Sequence, residues 1–296
     1  MKKIFMMALA ASAIVLTACD PVQEDTYKNN QQTVTAEQLR NNSSVTVVQE
    51  NGKNVNCVHV TSSVSAPIQW FNGVLYSTNP TDDIIMLVTG PQTLTITAMN
   101  PDGTLVSADY PVNIEELSEN YPVDPHWGML CGAGSKEWVW DDSDGMCWGN
   151  CGYLSGVNGD IGTWWGVSAP DVAGQISHYG YDLDDSGDAT MTFVLAGTKI
   201  IKSSGGTGTS SFDFTNSGWV DNDGNKGENA DPDNLWAIGQ LKATGDGVMF
   251  PQHVNSDIHV TQYDVNYIDD EKMILTYTTP DQESWGEATF WKFKAK

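Results

Sequence analysis

The chain has 296 residues, with 38 acidic against 14 basic side chains and a formal net charge of -24. That balance excludes electrostatic binding of nucleic acid or anionic lipid, because both require clustered cations. It suits an exposed soluble surface, a neutral ligand or bound divalent cations, and the length accommodates two domains.

From the amino terminus, Lys2 and Lys3 form a positive n-region, and residues 4–16 form an apolar stretch too short to span a bilayer comfortably as a mature helix. Small residues then precede a cysteine in Leu16-Thr17-Ala18-Cys19, so residues 1–18 read as a cleavable export signal. The string resembles the lipobox of bacterial lipoproteins, which implies diacylation of the Cys19 thiol and cleavage just before it. Each buried methylene contributes about 0.8 kcal/mol, so several acyl chains hold durably where one holds marginally. The mature chain is expected to be membrane-attached through lipid and otherwise soluble.

Residues 19–42 begin Asp20-Pro21-Val22-Gln23-Glu24-Asp25 and carry few bulky apolar side chains, a composition that predicts a flexible tether. The acidic group beside Cys19 resembles the surface-export signal of lipoproteins in Bacteroidetes-type bacteria, which implies an outer-membrane protein facing the cell exterior. In enteric bacteria an aspartate at that position would instead favour retention in the inner membrane.

Residues 43–117 show short β-branched runs separated by turn signals. Val45-Thr46-Val47-Val48 precedes Asn51-Gly52, and Thr93-Leu94-Thr95-Ile96-Thr97-Ala98 alternates strictly into Asn100-Pro101-Asp102-Gly103. The pattern predicts an all-β sandwich of immunoglobulin-like size. Ser65-Ala66-Pro67-Ile68-Gln69-Trp70, the Gln92 to Asn100 run and Pro111-Val112-Asn113-Ile114 resemble a polycystic-kidney-disease (PKD) repeat, without an aspartate-rich turn after the tryptophan. That resemblance implies a spacer lifting its neighbour off the membrane.

Residues 118–296 are also strand-rich, with strands expected at 188–195, 257–260, 272–278 and 288–293, and no segment has a helical period with caps. The expected fold is a jelly-roll β-sandwich of the kind found in lectins and carbohydrate-binding modules. Of the four cysteines besides Cys19, Cys147 and Cys151 lack metal-site spacing. A local disulfide among Cys57, Cys131, Cys147 and Cys151, or free thiols, fits an exported chain better.

The chain has 11 tryptophans, and all but Trp70 lie between Trp127 and Trp291. Alternation puts Trp291 in the core, and the apolar run around Trp236 does the same there. Trp138 and Trp140 share one strand face, either as a core layer or as an aromatic stripe, with Asp141 beside them. Trp148, Trp164, Trp165, Trp219 and Trp285 have small or polar neighbours that suggest loops or strand ends. Adjacent Trp164 and Trp165 cannot both point inward if extended. Exposed indoles stack on the C–H faces of sugars while nearby Asp, Asn or Gln bind hydroxyls. Ser135-Lys136-Glu137-Trp138-Val139-Trp140-Asp141, Thr163-Trp164-Trp165-Gly166, the segment from Tyr181-Asp182 to Phe193, and the ending from Trp285 to Phe293 resemble the C-terminal module of PKD-containing surface glycan-binding lipoproteins of Bacteroidetes polysaccharide-utilisation systems. This implies non-catalytic carbohydrate binding, alongside an outer-membrane glycan transporter. The ligand-binding candidates are Trp138, Trp140, Asp141, Trp164, Trp165 and Trp285.

Two other chemistries have residues to carry them. A structural calcium would use Asp182, Asp184 and Asp188, which open an EF-hand-like loop that has Phe193 where the bidentate Glu belongs, or Asp221, Asp223 and Glu228. A jelly-roll glycoside hydrolase would need paired carboxylates, for which Glu283 and Glu287 flank Trp285, although Glu283 in a polar turn and Glu287 before a strand read better as a solvated pair. No catalytic residues are assigned, and no cofactor is required. A further alternative is a structural or protein-binding surface lipoprotein whose tryptophans are core. His253, Asp257 and His259 cluster in sequence without a metal-site pattern.

Overall fold

The computed structural model describes residues 33–215 and 218–296, so the export signal, the lipidation expected at Cys19 and the first part of the tether lie outside the described residues. Residues 33–42, expected to continue the tether, instead pack onto the fold. Helix α1 (Ala36–Asn41) opens with a capping box, in which the Thr35 hydroxyl accepts from the Gln38 amide and the Gln38 side chain accepts from the Thr35 amide. It buries Leu39 completely, and Asn100 clamps Val34 by accepting from its N–H and donating to its carbonyl. Two apolar anchors and a cap order the segment despite its polar composition.

Seven strands follow: β1 (Ser43–Glu50), β2 (Lys53–Ser62), β3 (Ile68–Phe71), β4 (Tyr76–Ser77), β5 (Thr81–Ile85), β6 (Gly90–Met99) and β7 (Leu105–Ile114). They form the sheets β1-β2-β5 and β4-β3-β6-β7. The inward set on β6, Leu94, Ile96 and Ala98, meets Val58, Val60 and Trp70 in a shared core. Leu87 and Val88, after β5, join the core of the strands that follow, and Gly73 accepts a hydrogen bond from the Gly197 amide.

The remaining elements are helix α2 (His126–Cys131), strands β8 (Ser135–Trp140), β9 (Trp148–Gly152) and β10 (Thr163–Val167), helix α3 (Val172–Tyr179), then β11 (Thr190–Val194), β12 (Lys199–Lys202), β13 (Thr207–Asp213), β14 (Val220–Asp221), β15 (Leu235–Ala237), β16 (Gly239–Ala243), β17 (Gln262–Ile268), β18 (Lys272–Tyr277) and β19 (Glu287–Ala295). Eight of these strands pair antiparallel in the order β8-β11-β12-β13-β16-β17-β18-β19, and β19 pairs back to β8 through Phe293 with Trp140 and Ala295 with Trp138. The ring is therefore a closed up-and-down barrel.

The all-β class expected from the sequence is the class the chain adopts. Within it the connectivity is a meander, not the Greek key of the expected jelly roll, because sequence neighbours pair around the ring and the last strand closes on the first. Closure leaves no open edge on the ring itself. An eight-stranded barrel is about wide enough for side chains to fill. Here large ones do so: Trp138, Trp140, Phe193, Tyr263, Trp291 and Phe293 share one core, with Trp140 stacked on Phe293 and Trp291 edge-on to Tyr263.

Two further expectations change. The strand expected at 257–260 is reduced to a single bridge between Gln252 and His259. Helix α3 was not expected, since Asp171 gives it no side-chain cap and Gly174 interrupts it; it forms because Val172 and Ile176 bury against the barrel core. All four described cysteines are buried free thiols, so no disulfide joins them. Burial pushes the Cys131 and Cys151 thiols up to about 12.

Candidate functional site

The sequence candidates divide sharply by exposure. Trp138 and Trp140 are 0% and 2% exposed, inside the barrel, and their indole N–H groups donate to the Leu130 and Asp185 carbonyls. Asp141 is buried beside them, accepts from the Ser143 amide and lies 3.7 Å from Lys272. These three are corrected from ligand contacts to structural residues. The two-residue period correctly put both indoles on one face, and barrel closure made that face the inside. Trp164, Trp165 and Trp285 are 49%, 45% and 59% exposed.

Those three gather around one extension of the barrel. Strands β8 and β9 pair in succession with β19, and residues 141–147 leave the sheet between them. Lys292 accepts from the Asp141 amide and donates its own amide to Cys147, so a single β19 residue spans the detour. β9 then carries β10, whose other edge pairs with no strand among the described residues. In this pair Thr163 faces Cys151 while Trp165 faces Asn150, which leaves Trp164 as the extra residue of a β-bulge. The bulge breaks the alternation that would send adjacent tryptophans to opposite faces. Trp165 also packs edge-on against buried Trp148, with ring centroids 6.3 Å apart.

Trp285 reaches the same hairpin from the loop between β18 and β19. A Cβ built on Gly152 would lie 2.8 Å from its Cε3, and one on Gly162 would lie 3.3 Å from its Cζ3. The two glycines, joined by the Gly152 amide donating to the Gly162 carbonyl, are thus the seat of the indole. Trp285 has φ +65°, a conformation that is costly for a bulky residue. Its amide donates to the Tyr153 carbonyl, and the Tyr153 amide donates to the Gly286 carbonyl. A strained backbone here displays an indole to solvent instead of burying it, and such strain concentrates at functional sites.

Between the indoles lies a polar patch. Residues paired across strands share a face, and faces alternate along each strand. Trp165 pairs with Asn150, Asn150 with Thr289, and Glu287 with Gly152, so these side chains and the Trp285 seat share the face that continues into the barrel core at Trp148 and Trp291. Glu287 Oε1 accepts from Asn150 Nδ2 and Asn255 Nδ2, both at 2.8 Å. Asn150 Oδ1 is buried without a partner among the described residues. Beneath the patch, Thr289 is paired with His253 Nδ1 at 2.6 Å, and burial lowers the His253 imidazole below its usual range. The patch offers a carboxylate and amides to a hydroxyl-bearing ligand.

Sequence reasoning named the three exposed indoles but missed Asn150, Asn255 and the two glycines. The solvated pair expected of Glu283 and Glu287 is only half present: two amides hold Glu287, while Glu283 is exposed in the turn and its carbonyl accepts from the Gly286 amide. The one usable signal was the pair of glycines flanking the segment before Trp164.

The expected calcium ligands do not converge. Asp184 closes its own turn by accepting from the Ser186 amide and hydroxyl, Asp182 lines a cleft with His259, and Asp188 lines a different one. Asp221 is buried and already accepts from the amides of Asp223, Asn225 and Asp231 and from Asn225 Nδ2, so N–H donors occupy the positions a cation would take. Among the described residues no group of three or more His, Cys, Asp or Glu side chains is placed to hold a metal ion. Compared with known proteins, the chain matches no family model and no curated protein.

Proposed function

We propose that the chain is a lipid-anchored, outward-facing outer-membrane protein that binds polysaccharide without cleaving it, through Trp164, Trp165 and Trp285. The observation that carries this reading is the Trp285 seat. An indole held at positive φ over two glycines stands on the same sheet face as the Glu287, Asn150 and Asn255 patch and Trp165. Sugars present apolar C–H faces and polar rims. Indoles flanking a carboxylate and amides match both surfaces at once: the rings remove apolar area from water at roughly 25 cal/mol per Å², and the patch meets the hydroxyls.

The charge fits a neutral polymer, which an acidic surface does not repel. Lipidation at Cys19, a spacer built on β1 to β7 and a distal aromatic platform together make a capture device for polymers too large to cross an outer membrane, which then pass to a glycan transporter. Binding is expected to be micromolar, about -8 kcal/mol, and enthalpy-led. Electrophoresis in native gels containing plant and host polysaccharides tests the reading. The wild type should be retarded by at least one polymer and the Trp164→Ala/Trp165→Ala/Trp285→Ala variant by none. A wild type that no glycan slows, or a triple variant that migrates like it in every gel, overturns the proposal.

A further inference from the structure

The loop that carries Trp285 has a second side. Thr279, Pro280 and Gln282 of that loop line a cleft of about 370 Å³ on the outer surface of the barrel. This falls within the size range of small-molecule sites, roughly 300–1,000 Å³. The other walls are Tyr153, Lys226, Gln240, Gln262, Asp264, Tyr277 and Thr278. Tyr153 joins the two sites: its backbone bonds both Trp285 and Gly286, while its ring lines the cleft and meets Trp236 edge-on.

The base of the cleft is a cross-strand row. Gln240 pairs with Asp264 and Asp264 with Thr276, so the three side chains share the outer face of β16, β17 and β18. Thr276 closes the row at 1% exposure and lies behind the cleft, outside its lining. Burial raises the Asp264 carboxyl to about 6, against the opposing effects of Gln240 and Lys226. The lining thus combines a carboxyl, an ammonium, three amides, two phenols and two hydroxyls. That inventory donates and accepts in many directions without an apolar pocket, which suits a polyol.

We infer that this cleft is a second sugar subsite, which binds the hydroxyls of a neutral pyranose unit belonging to the same glycan that stacks on Trp285. The inference rests on the platform reading of Trp285. The loop between β18 and β19 carries Trp285 and also supplies Thr279, Pro280 and Gln282 to the cleft, so one segment of chain serves both sites.

The test is isothermal titration with cello-, xylo-, manno- and malto-oligosaccharides of two to six units. For the wild type, affinity should rise at least tenfold from the shortest to the longest member of the series that binds. Gln262→Ala/Gln282→Ala, which alters only side chains outside the core, should lose that gain while keeping the affinity for the short members. Asp264→Ala should behave likewise, and Asp264→Asn, which keeps a donor and an acceptor, should restore the gain. Trp285→Ala should lose binding at every length. If the Gln double variant and Asp264→Ala keep the full gain with length while Trp285→Ala binds nothing, the subsite is wrong and the platform stands. If the wild type binds none of the four series, both fall.

Discussion

Trp285 lies directly over Gly152: the smallest side chain added at residue 152 would come within 2.8 Å of the indole. Gly152→Ala must therefore displace the ring, although residue 152 sits in a strand and offers a ligand nothing of its own. Glycan binding should fall at least tenfold, with a change in tryptophan emission and only a modest loss of stability. Retention of wild-type affinity with an unchanged spectrum would show that the ring is not held as described.

The tryptophans should separate into two classes under substitution. Trp138→Ala opens a cavity in the barrel and should cost about 3–5 kcal/mol, lowering the melting temperature by on the order of 10 °C. Trp285→Gly removes an exposed ring and relieves the positive φ, so the melting temperature should hold or rise while binding disappears. Thermal denaturation beside titration of both variants checks the division.

Glu287 is the carboxylate of a patch that otherwise presents the Asn150 and Asn255 amides. Hydrogen bonds to charged groups contribute about 1.5–3 kcal/mol, so Glu287→Ala should weaken binding roughly 10- to 100-fold. The same residue tests the hydrolytic alternative, for which a reducing-sugar assay of the wild type should read zero. Sugar release by the wild type that Glu287→Gln abolishes would identify an enzyme.

Asp264 gives a pH signature. Its carboxyl titrates near 6 in the folded chain, and near 3.8 when free. Between those values the folded state holds more protons, so the stability this group contributes is complete below about pH 4 and is lost as pH rises to about 6. The loss is at most about 3 kcal/mol. Other carboxylates, including Asp144, which accepts from Lys292, are lowered and act in the opposite sense. The measurement is therefore a difference: relative to wild type, Asp264→Asn should gain stability between pH 4 and pH 7. A constant difference across that range would contradict it.

The four buried thiols should be inert in the folded state. With Cys131 and Cys151 pushed up to about 12, no thiolate is available at neutral pH. A disulfide-exchange reagent should label none of Cys57, Cys131, Cys147 and Cys151 until denaturant is added, and all four afterwards.

What the sequence made legible was local. The alternation around Trp291 and Phe293, the turn signals between β1 and β7, and the shared face of Trp138 and Trp140 are all properties of neighbouring residues. Which side of the sheet became the interior depended on pairing Ala295 with Trp138, a contact between distant parts of the chain that no local period encodes. The bulge at Trp164 and the positive φ of Trp285 escaped for a related reason: each is imposed by packing against another segment. Glu287 looked solvated because Asn150 and Asn255, which hold it, are remote in sequence.

Polysaccharide capture is proposed to rest on the exposed indoles of the β9 and β10 extension. Its most direct test is calorimetric titration of the wild type and the Trp164→Ala/Trp165→Ala/Trp285→Ala variant with the polysaccharide that retards the wild type most in native gels. The wild type should bind with micromolar, enthalpy-led affinity, and the variant should melt at the same temperature and give no measurable heat. Equal affinity in the two proteins would contradict it.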